Sequence, residues 1–432
     1  MTQRKGFLWM ALLLILTVVP LTALAETDTE FTKVVLKNGL TLMYKVMKNQ
    51  PNVSIYAIVP IGSNTEKEKG ISHLLEHLVF RGGSGFTFND ILEVTNRQGG
   101  QFNGYTTFYA TIYNYITPKA NYEAALRVFN GSLWKPDLAE KTVALEQKIV
   151  IHEAELDYSQ SYQYYPVIHY FYPENLYTKE MYLALSPGDL LDFHRNYYQP
   201  ANVTYVVAGD IDPRKLMAEL EKITNGYGTR EITKQPVVSF DLPDHDVVES
   251  RNLYPYQYQL MMAYELSGLT PKERMILKML AVFYGYDFKI NYEQNEYKGY
   301  NVVTRSVGDK DYFGIYYLER KHPYSPELLA EERKNLAKYF REFRKMDFKK
   351  KQKELVDLIQ RELIESKVTA EDAVEYEVQK LINPDDLTVD SLPVLKSLKP
   401  QDLEAVINKY FSKPPTSWIL VTTNKTAGAG GK

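Results

Sequence analysis

The chain has 432 residues, 44% of them hydrophobic and 24% charged, with a formal net charge of -3, seven histidines and no cysteine. The missing sulfur excludes disulfide scaffolds, thiolate zinc fingers, iron–sulfur centres and cysteine-nucleophile enzymes, so any metal must sit on nitrogen and oxygen. The near-neutral balance argues against wholesale nucleic-acid binding, and the length implies roughly two to four domains.

Residues 1–25 read as a targeting signal. Arg4 and Lys5 precede an uncharged apolar stretch from Phe7 to Ala25, which ends in the small-x-small site Ala23-Leu24-Ala25. Pro20 and that site favour cleavage over retention as an anchor, so the mature protein is expected in the periplasm or outside the cell, with no stable membrane insertion.

After the signal, Val34 to Val46 reads as two alternating strands around the turn Asn38-Gly39, followed by a strand from Val53 to Pro60. Helical spacing runs from Ile71 to about Phe80 and stops at Gly82-Gly83; a second helix spans about Asn89 to Arg97. The segment Gln101 to Ile116 alternates and carries four Tyr and two Phe, which is strand chemistry. Helices are predicted near Tyr122 to Leu133 and about Leu138 to Tyr158, a buried strand over Asn202 to Ala208, and a helix capped by Asp212-Pro213. A linker over Gly226 to Pro243 is followed by a strand (Tyr256 to Tyr264), a helix (Pro271 to Phe283), two strands (Asn301 to Val307, Tyr312 to Leu318), two helices (Pro326 to Phe343, Phe348 to Leu363) and a last strand, Ser417 to Thr422. The order partly repeats, which predicts an α+β chain of two duplicated α/β domains, residues 26–235 and 236–425, with a disordered tail over 426–432. Arg333 to Lys353 holds ten Lys or Arg against Glu342 and Asp347 and reads as a solvated helical face.

The segment that carries chemistry is Gly70-Ile71-Ser72-His73-Leu74-Leu75-Glu76-His77. Two histidines at i and i+4 lie one turn apart on one face of a helix, so their imidazoles can converge on one ion. Glu76 projects beside them and can take a proton from water without being a ligand. A catalytic zinc needs a third protein ligand and one open position. The helix from about Leu138 offers Glu146, Glu153 and Glu155; the first two share a face, two turns apart, and either of them can ligate while the other supports.

This H-x-x-E-H pattern resembles the inverzincin motif of the pitrilysin-like (insulinase) zinc peptidases. The resemblance extends through Asn38-Gly39-Leu40, Gly62-Ser63 with Glu66, Gly82-Gly83, Gly99 to Thr106, Tyr197 to Asn202 and Val206 to Asp210. It implies a fold of two mixed, mostly antiparallel sheets packed with helices. It further implies one zinc ion on His73, His77 and Glu153, which lies 76 residues past His77, with Glu76 as base and Glu146 in support. The strand at Asn103, Gly104 and Tyr105 matches the family's edge strand, where a peptide substrate adds by backbone hydrogen bonds.

The second half departs from the family pattern. Members often carry an Arg followed seven residues later by a Tyr, which together hold the scissile carbonyl. Here Tyr300 fits the second position, but Glu293 stands at the first, and a carboxylate cannot donate to an oxyanion. Arg305 is a weaker substitute. The resemblance therefore implies either a heterodimer, in which a homologous subunit supplies the Arg/Tyr clamp, or a homodimer. The expected function is zinc-dependent hydrolysis of extended peptides or unfolded segments; the alternative is a non-catalytic peptide-binding or scaffold subunit of the same fold.

Overall fold

The computed structural model describes residues 30–164, 177–227, 239–251, 256–294, 299–307, 310–382 and 389–422, with the side chains of 155–164 and 283–301 among those left undescribed. The expected signal segment (1–25), the expected disordered tail (426–432) and most of the expected linker lie outside these residues.

The first half begins with β1 (Thr32–Val35) and β2 (Thr41–Val46), joined by a tight turn in which Gly39 takes φ +90° and a β-carbon would stand 2.8 Å from that of Ala201. Then come β3 (Asn52–Val59), α1 (Ile71–Val79), the two-residue strands β4 (Gly82–Gly83) and β5 (Phe86–Thr87), and α2 (Phe88–Leu92), which runs on as a π turn over Glu93–Arg97. The alternating aromatic segment folds as a hairpin, β6 (Gln101–Thr106) and β7 (Thr111–Pro118), closed by Thr107, whose N–H and hydroxyl both donate to the Ala110 carbonyl. The half closes with α3 (Tyr122–Trp134), α4 (Glu140–Tyr164), α5 (Lys179–Ala184), α6 (Pro187–Tyr197), β8 (Thr204–Gly209) and α7 (Pro213–Ile223).

The second half runs β9 (Val247–Arg251), β10 (Tyr258–Ser267), α8 (Pro271–Gln294), β11 (Gly299–Val307), β12 (Lys310–Glu319), α9 (Pro326–Phe343), α10 (Phe348–Glu365), α11 (Ala370–Ile382), α12 (Leu392–Ser397), α13 (Pro400–Tyr410) and β13 (Thr416–Thr422). The short elements α5, α6, α11, α12, α13 and β9 were not predicted. Capping signals for two of them are present: Thr178 accepts from the Met181 N–H, and Ser186 forms a reciprocal capping box with Asp189. Their apolar faces, however, have meaning only against the sheets they cover.

The first sheet has the order β1-β2-β8-β3-β7-β6, and the second β11-β12-β10-β13-β9. Among the described residues each contains a single parallel pair, β2 with β8 and β13 with β9, and is otherwise antiparallel. Reading β2, β3, β6, β7 and β8 against β9 to β13 in order gives the same neighbours and the same polarities, so the second half repeats the topology of the first. In the equivalent place to α1 stands α8, which contains no histidine.

One face of the first sheet packs on a core that includes Leu74, Leu75, Leu78, Phe129, Val150 and Leu190, contributed by α1, α3, α4 and α6. The other face is covered from the second half by α11, whose Ala370, Ala373, Val374, Val378 and Ile382 pack on Met43, Tyr56, Ile58, Ile112 and Val206. That cover explains why β3 has no solvent face: every residue from Val53 to Val59, Ser54 included, is buried. Polar ties fix the contact, with Tyr56 Oη donating to Glu375 at 2.6 Å and Asn52 Nδ2 to Glu371 at 2.7 Å. Among the described residues no helix is long and apolar enough to cross a membrane.

Candidate metal centre and active site

Helix α1 opens at Gly70, which has φ +86° and no capping side chain of its own. Glu66 takes that role from the preceding loop: its two oxygens accept the backbone N–H groups of Gly70 at 2.7 Å and Ser72 at 2.9 Å, placing a carboxylate at the positive end of the helix. Leu74, Leu75, Leu78 and Val79 then lock one face of α1 into the core, which leaves His73 and His77 on the face turned to the cleft.

The two imidazoles meet edge to face with centroids 4.8 Å apart. Helix α4 crosses them and presents Glu146 and Glu153 from one side. His77 Nε2 lies 3.2 Å from Glu153 Oε2, and His73 Nε2 lies 3.8 Å from the same oxygen. The outer nitrogens are also engaged. His77 Nδ1 lies 3.3 Å from Glu146 Oε2, whose other oxygen accepts from Arg81 Nε, while His73 Nδ1 lies 2.8 Å from Tyr182 Oη.

One ligand atom from each of His73, His77 and Glu153 falls within 4.8 Å of the others. Tetrahedral zinc with bonds of about 2.0–2.1 Å holds neighbouring ligand atoms about 3.3 Å apart, so these donors fit the ion in type, and the 3.2 Å and 3.8 Å separations from Glu153 lie near that spacing. Glu146 is not brought into that group; it is 1% exposed and holds the outer nitrogen of His77 instead.

Glu76 sits beside the cluster, 6% exposed, and accepts from Thr106 Oγ1 at 2.8 Å. Burial pushes its carboxyl up to about 7, against the lowering effects of the Thr106 hydrogen bond and of His77. Burial, reinforced by the charge of His77, pushes His73 down to about 4. Burial acts the same way on His77, but the Glu146 hydrogen bond and the charges of Glu153 and Glu76 outweigh it and leave that imidazole above its ordinary value.

These groups line an open cleft of about 590 Å³ whose far wall is β6. Among the described residues, strand β6 is the edge of its sheet and pairs only with β7. Alternation turns Phe102, Gly104 and Thr106 towards α1: Phe102 packs at a tilt on Phe80, Thr106 reaches Glu76, and a β-carbon on Gly104 would stand 3.0 Å from Phe80 and 3.2 Å from Glu76. Asn103 and Tyr105 are brought to the cleft through their strand. The Tyr105 side chain, however, belongs to the opposite face and packs with the α11 cluster, so its ring is held away from the metal-ligand group.

Tyr300 is the second residue of β11, an edge strand of the second sheet among the described residues, and pairs with Tyr317; its side chain and that of Glu293 lie outside the described residues. Arg305 is not in the cleft lining. Its guanidinium stacks 4.4 Å over Phe108, in the β6–β7 turn. His152 is exposed, His194 is buried against the Leu133 carbonyl, and His245 and His322 stand beside Asp244 and Glu319, so none of these four joins the group; His169 lies outside the described residues.

The sequence did not single out Arg81, Thr106 or Tyr182. Arg81 stands four residues past His77, a spacing that could have raised it. Tyr182 is 109 residues from His73, and no local signal connects them.

Residues 42–181 match the insulinase family, peptidase family M16, and residues 184–355 match the peptidase M16 inactive domain. A protein described as an uncharacterized zinc protease from Rickettsia bellii is 24% identical over 416 residues, covering 90% of this chain and 97% of its own length. The crystal structure of a protease from Helicobacter pylori matches with a TM-score of 0.74 at 20% identity, over 91% of this chain and 99% of that one. The first half of the periplasmic protease PqqL from Escherichia coli matches with a TM-score of 0.66 at 15% identity, over 91% and 92%. The matched segments, the H-x-x-E-H helix and the repeated mixed sheets agree: the chain belongs to the insulinase family of peptidases, M16.

Proposed function

We propose that the chain is a zinc-dependent endopeptidase that cuts peptides or unfolded segments lying extended along β6. The observation that carries this reading is the convergence of both histidine Nε2 atoms on Glu153 Oε2, with the buried Glu76 carboxylate beside them and a free strand edge across the cleft. His73, His77 and Glu153 would hold the ion, which supplies Lewis acidity and lowers the pKa of a coordinated water to about 7.

The protein's own groups do the rest. Glu76 is placed to accept the proton of the attacking water and return it to the leaving amine, and its burial raises the proton affinity that the first transfer uses. Glu146, held by Arg81, fixes the ring of His77. The free backbone groups of β6 pair with the substrate main chain, so compact domains should be spared and extended ones cut. The N-terminal segment and the likeness to a periplasmic protease support action in the periplasm or outside the cell.

The test is hydrolysis of a quenched peptide library by the mature protein, with Glu76→Gln as control. The variant should retain zinc and lose at least about 100-fold in kcat; equal activity would overturn the mechanism.

A second reading, a peptide-binding or scaffold subunit, draws on the match of residues 184–355 to an inactive domain and on Glu293. Metal analysis separates the two, because a scaffold with a decayed site would stay substoichiometric in zinc after reconstitution. We further propose that a paired subunit, a homologue or a second copy, completes the carbonyl clamp. If the purified chain cleaves peptides as a monomer, that pairing is refuted.

A further inference from the structure

The two histidines are supported from outside by groups of different chemistry. Behind His77 stands a carboxylate, Glu146, which is itself paired with Arg81. Behind His73 stands a neutral phenol, Tyr182, at 2.8 Å from Nδ1. With zinc bound at the Nε2 atoms, which both face Glu153, each Nδ1 would carry the proton, and for His73 the acceptor in place would be the Tyr182 oxygen, 2.8 Å away.

Tyr182 is placed with some care. Its ring is fully buried, and its main chain is pinned to the ligand-bearing helix by Gln147 Nε2, which donates to the carbonyls of Tyr182 at 2.8 Å and Leu185 at 2.9 Å. Gln147 directly follows Glu146 on α4. Room for the ring exists only because residue 70 is glycine, since a β-carbon there would stand 2.8 Å from Tyr182 Cε1. Tyr177 closes the other side, its ring nearly parallel to His73 at 6.3 Å and its hydroxyl 3.3 Å from Glu66.

From this geometry, and resting on the zinc reading above, we propose that Tyr182 is a positioning residue for the metal centre: it fixes the tautomer and the ring plane of His73 so that Nε2 faces the ion. A phenol suits this place for an electrostatic reason. Glu76, Glu146 and Glu153 already surround the centre, so a further carboxylate would add like-charge repulsion, whereas a neutral acceptor orients the ring without adding charge.

The experiment compares the mature wild-type chain with Tyr182→Phe, using zinc alone as the probe. Zinc affinity is measured by competition with a chromophoric chelator, and the thermal midpoint is recorded without metal. The expected result is binding weakened roughly 10-fold or more with the metal-free midpoint unchanged, together with an altered visible spectrum of the cobalt-substituted protein. Affinity within twofold of wild type would overturn the inference. Should the variant fail to fold, the wild type decides: long-range ¹H–¹⁵N spectra of the zinc-loaded, histidine-labelled chain should show His73 protonated at Nδ1, and metal on Nδ1 would overturn it. A wild-type chain that takes up no zinc overturns the zinc reading and this inference with it, whereas normal wild-type binding with an indifferent variant overturns this inference alone.

Discussion

At the scale of single residues, the chemistry of the cleft depends on how few charges stand buried without an answer. Glu146 is almost wholly enclosed, and its charge is met by Arg81 on one oxygen and the His77 ring on the other. Replacing Arg81 by Met keeps most of the packing and leaves that carboxylate half answered. The expected cost is roughly 2 kcal/mol, less than for a fully buried pair because the Arg81 side chain is 23% exposed. Denaturant unfolding checks this, and a midpoint equal to wild type would show that the pair contributes nothing. The principal members of the site were legible from spacing, since His73, Glu76 and His77 lie within five residues and Glu146 and Glu153 are two helical turns apart. Their outer partners were not, because Thr106 and Tyr182 meet α1 only through the sheet edge and a later helix.

At the scale of elements, α1 is a short helix whose apolar face is spent on the core, so its register, and with it both histidines, is set by Leu74, Leu75 and Leu78. The edge strand β6 depends on a partner from the other half. Helix α11 covers the face of the first sheet that the cleft does not use, and Tyr105 of β6 packs into that contact. Val374, fully buried at the centre of this layer, is the position to break. Val374→Asp places an unpaired carboxylate between helix and sheet and is expected to cost about 3–5 kcal/mol. Loss of protection in β3 and β6 by hydrogen exchange should accompany it; unchanged exchange there would mean that α11 does not support the edge. The two-residue alternation of β3 was hidden in the sequence because both of its faces are covered, and α11 itself escaped notice because its apolar stripe is short and its partner lies about 300 residues earlier.

At the scale of the whole molecule, the fold joins two copies of one topology, and among the described residues the His73–His77–Glu153 group lies in the first alone. Stability of the whole should fall in acid. His194 is 5% exposed, with Nε2 2.9 Å from the Leu133 carbonyl, and burial pushes its imidazole down to about 4. The unfolded chain takes up that proton below about 6.5 and the folded chain does not, so the contribution is complete above 6.5 and is lost as pH falls towards 4, by roughly 3 kcal/mol. Unfolding free energies at pH 7 and 4.5 should therefore converge in His194→Gln, which keeps a donor for Leu133 without titrating. An unaltered pH slope would remove His194 from the account. By itself the sequence determined the candidate donors, because donor type and helical spacing are local properties: two histidines one helical turn apart, a glutamate one residue before the second, and strands and helices in a repeated order. Only the tertiary structure decided which glutamate faces the two Nε2 atoms, which side chains of β6 reach the cleft, what holds each imidazole from behind, and that the second half covers the first sheet. Those are relations between surfaces far apart in the chain, and no short-range pattern encodes them.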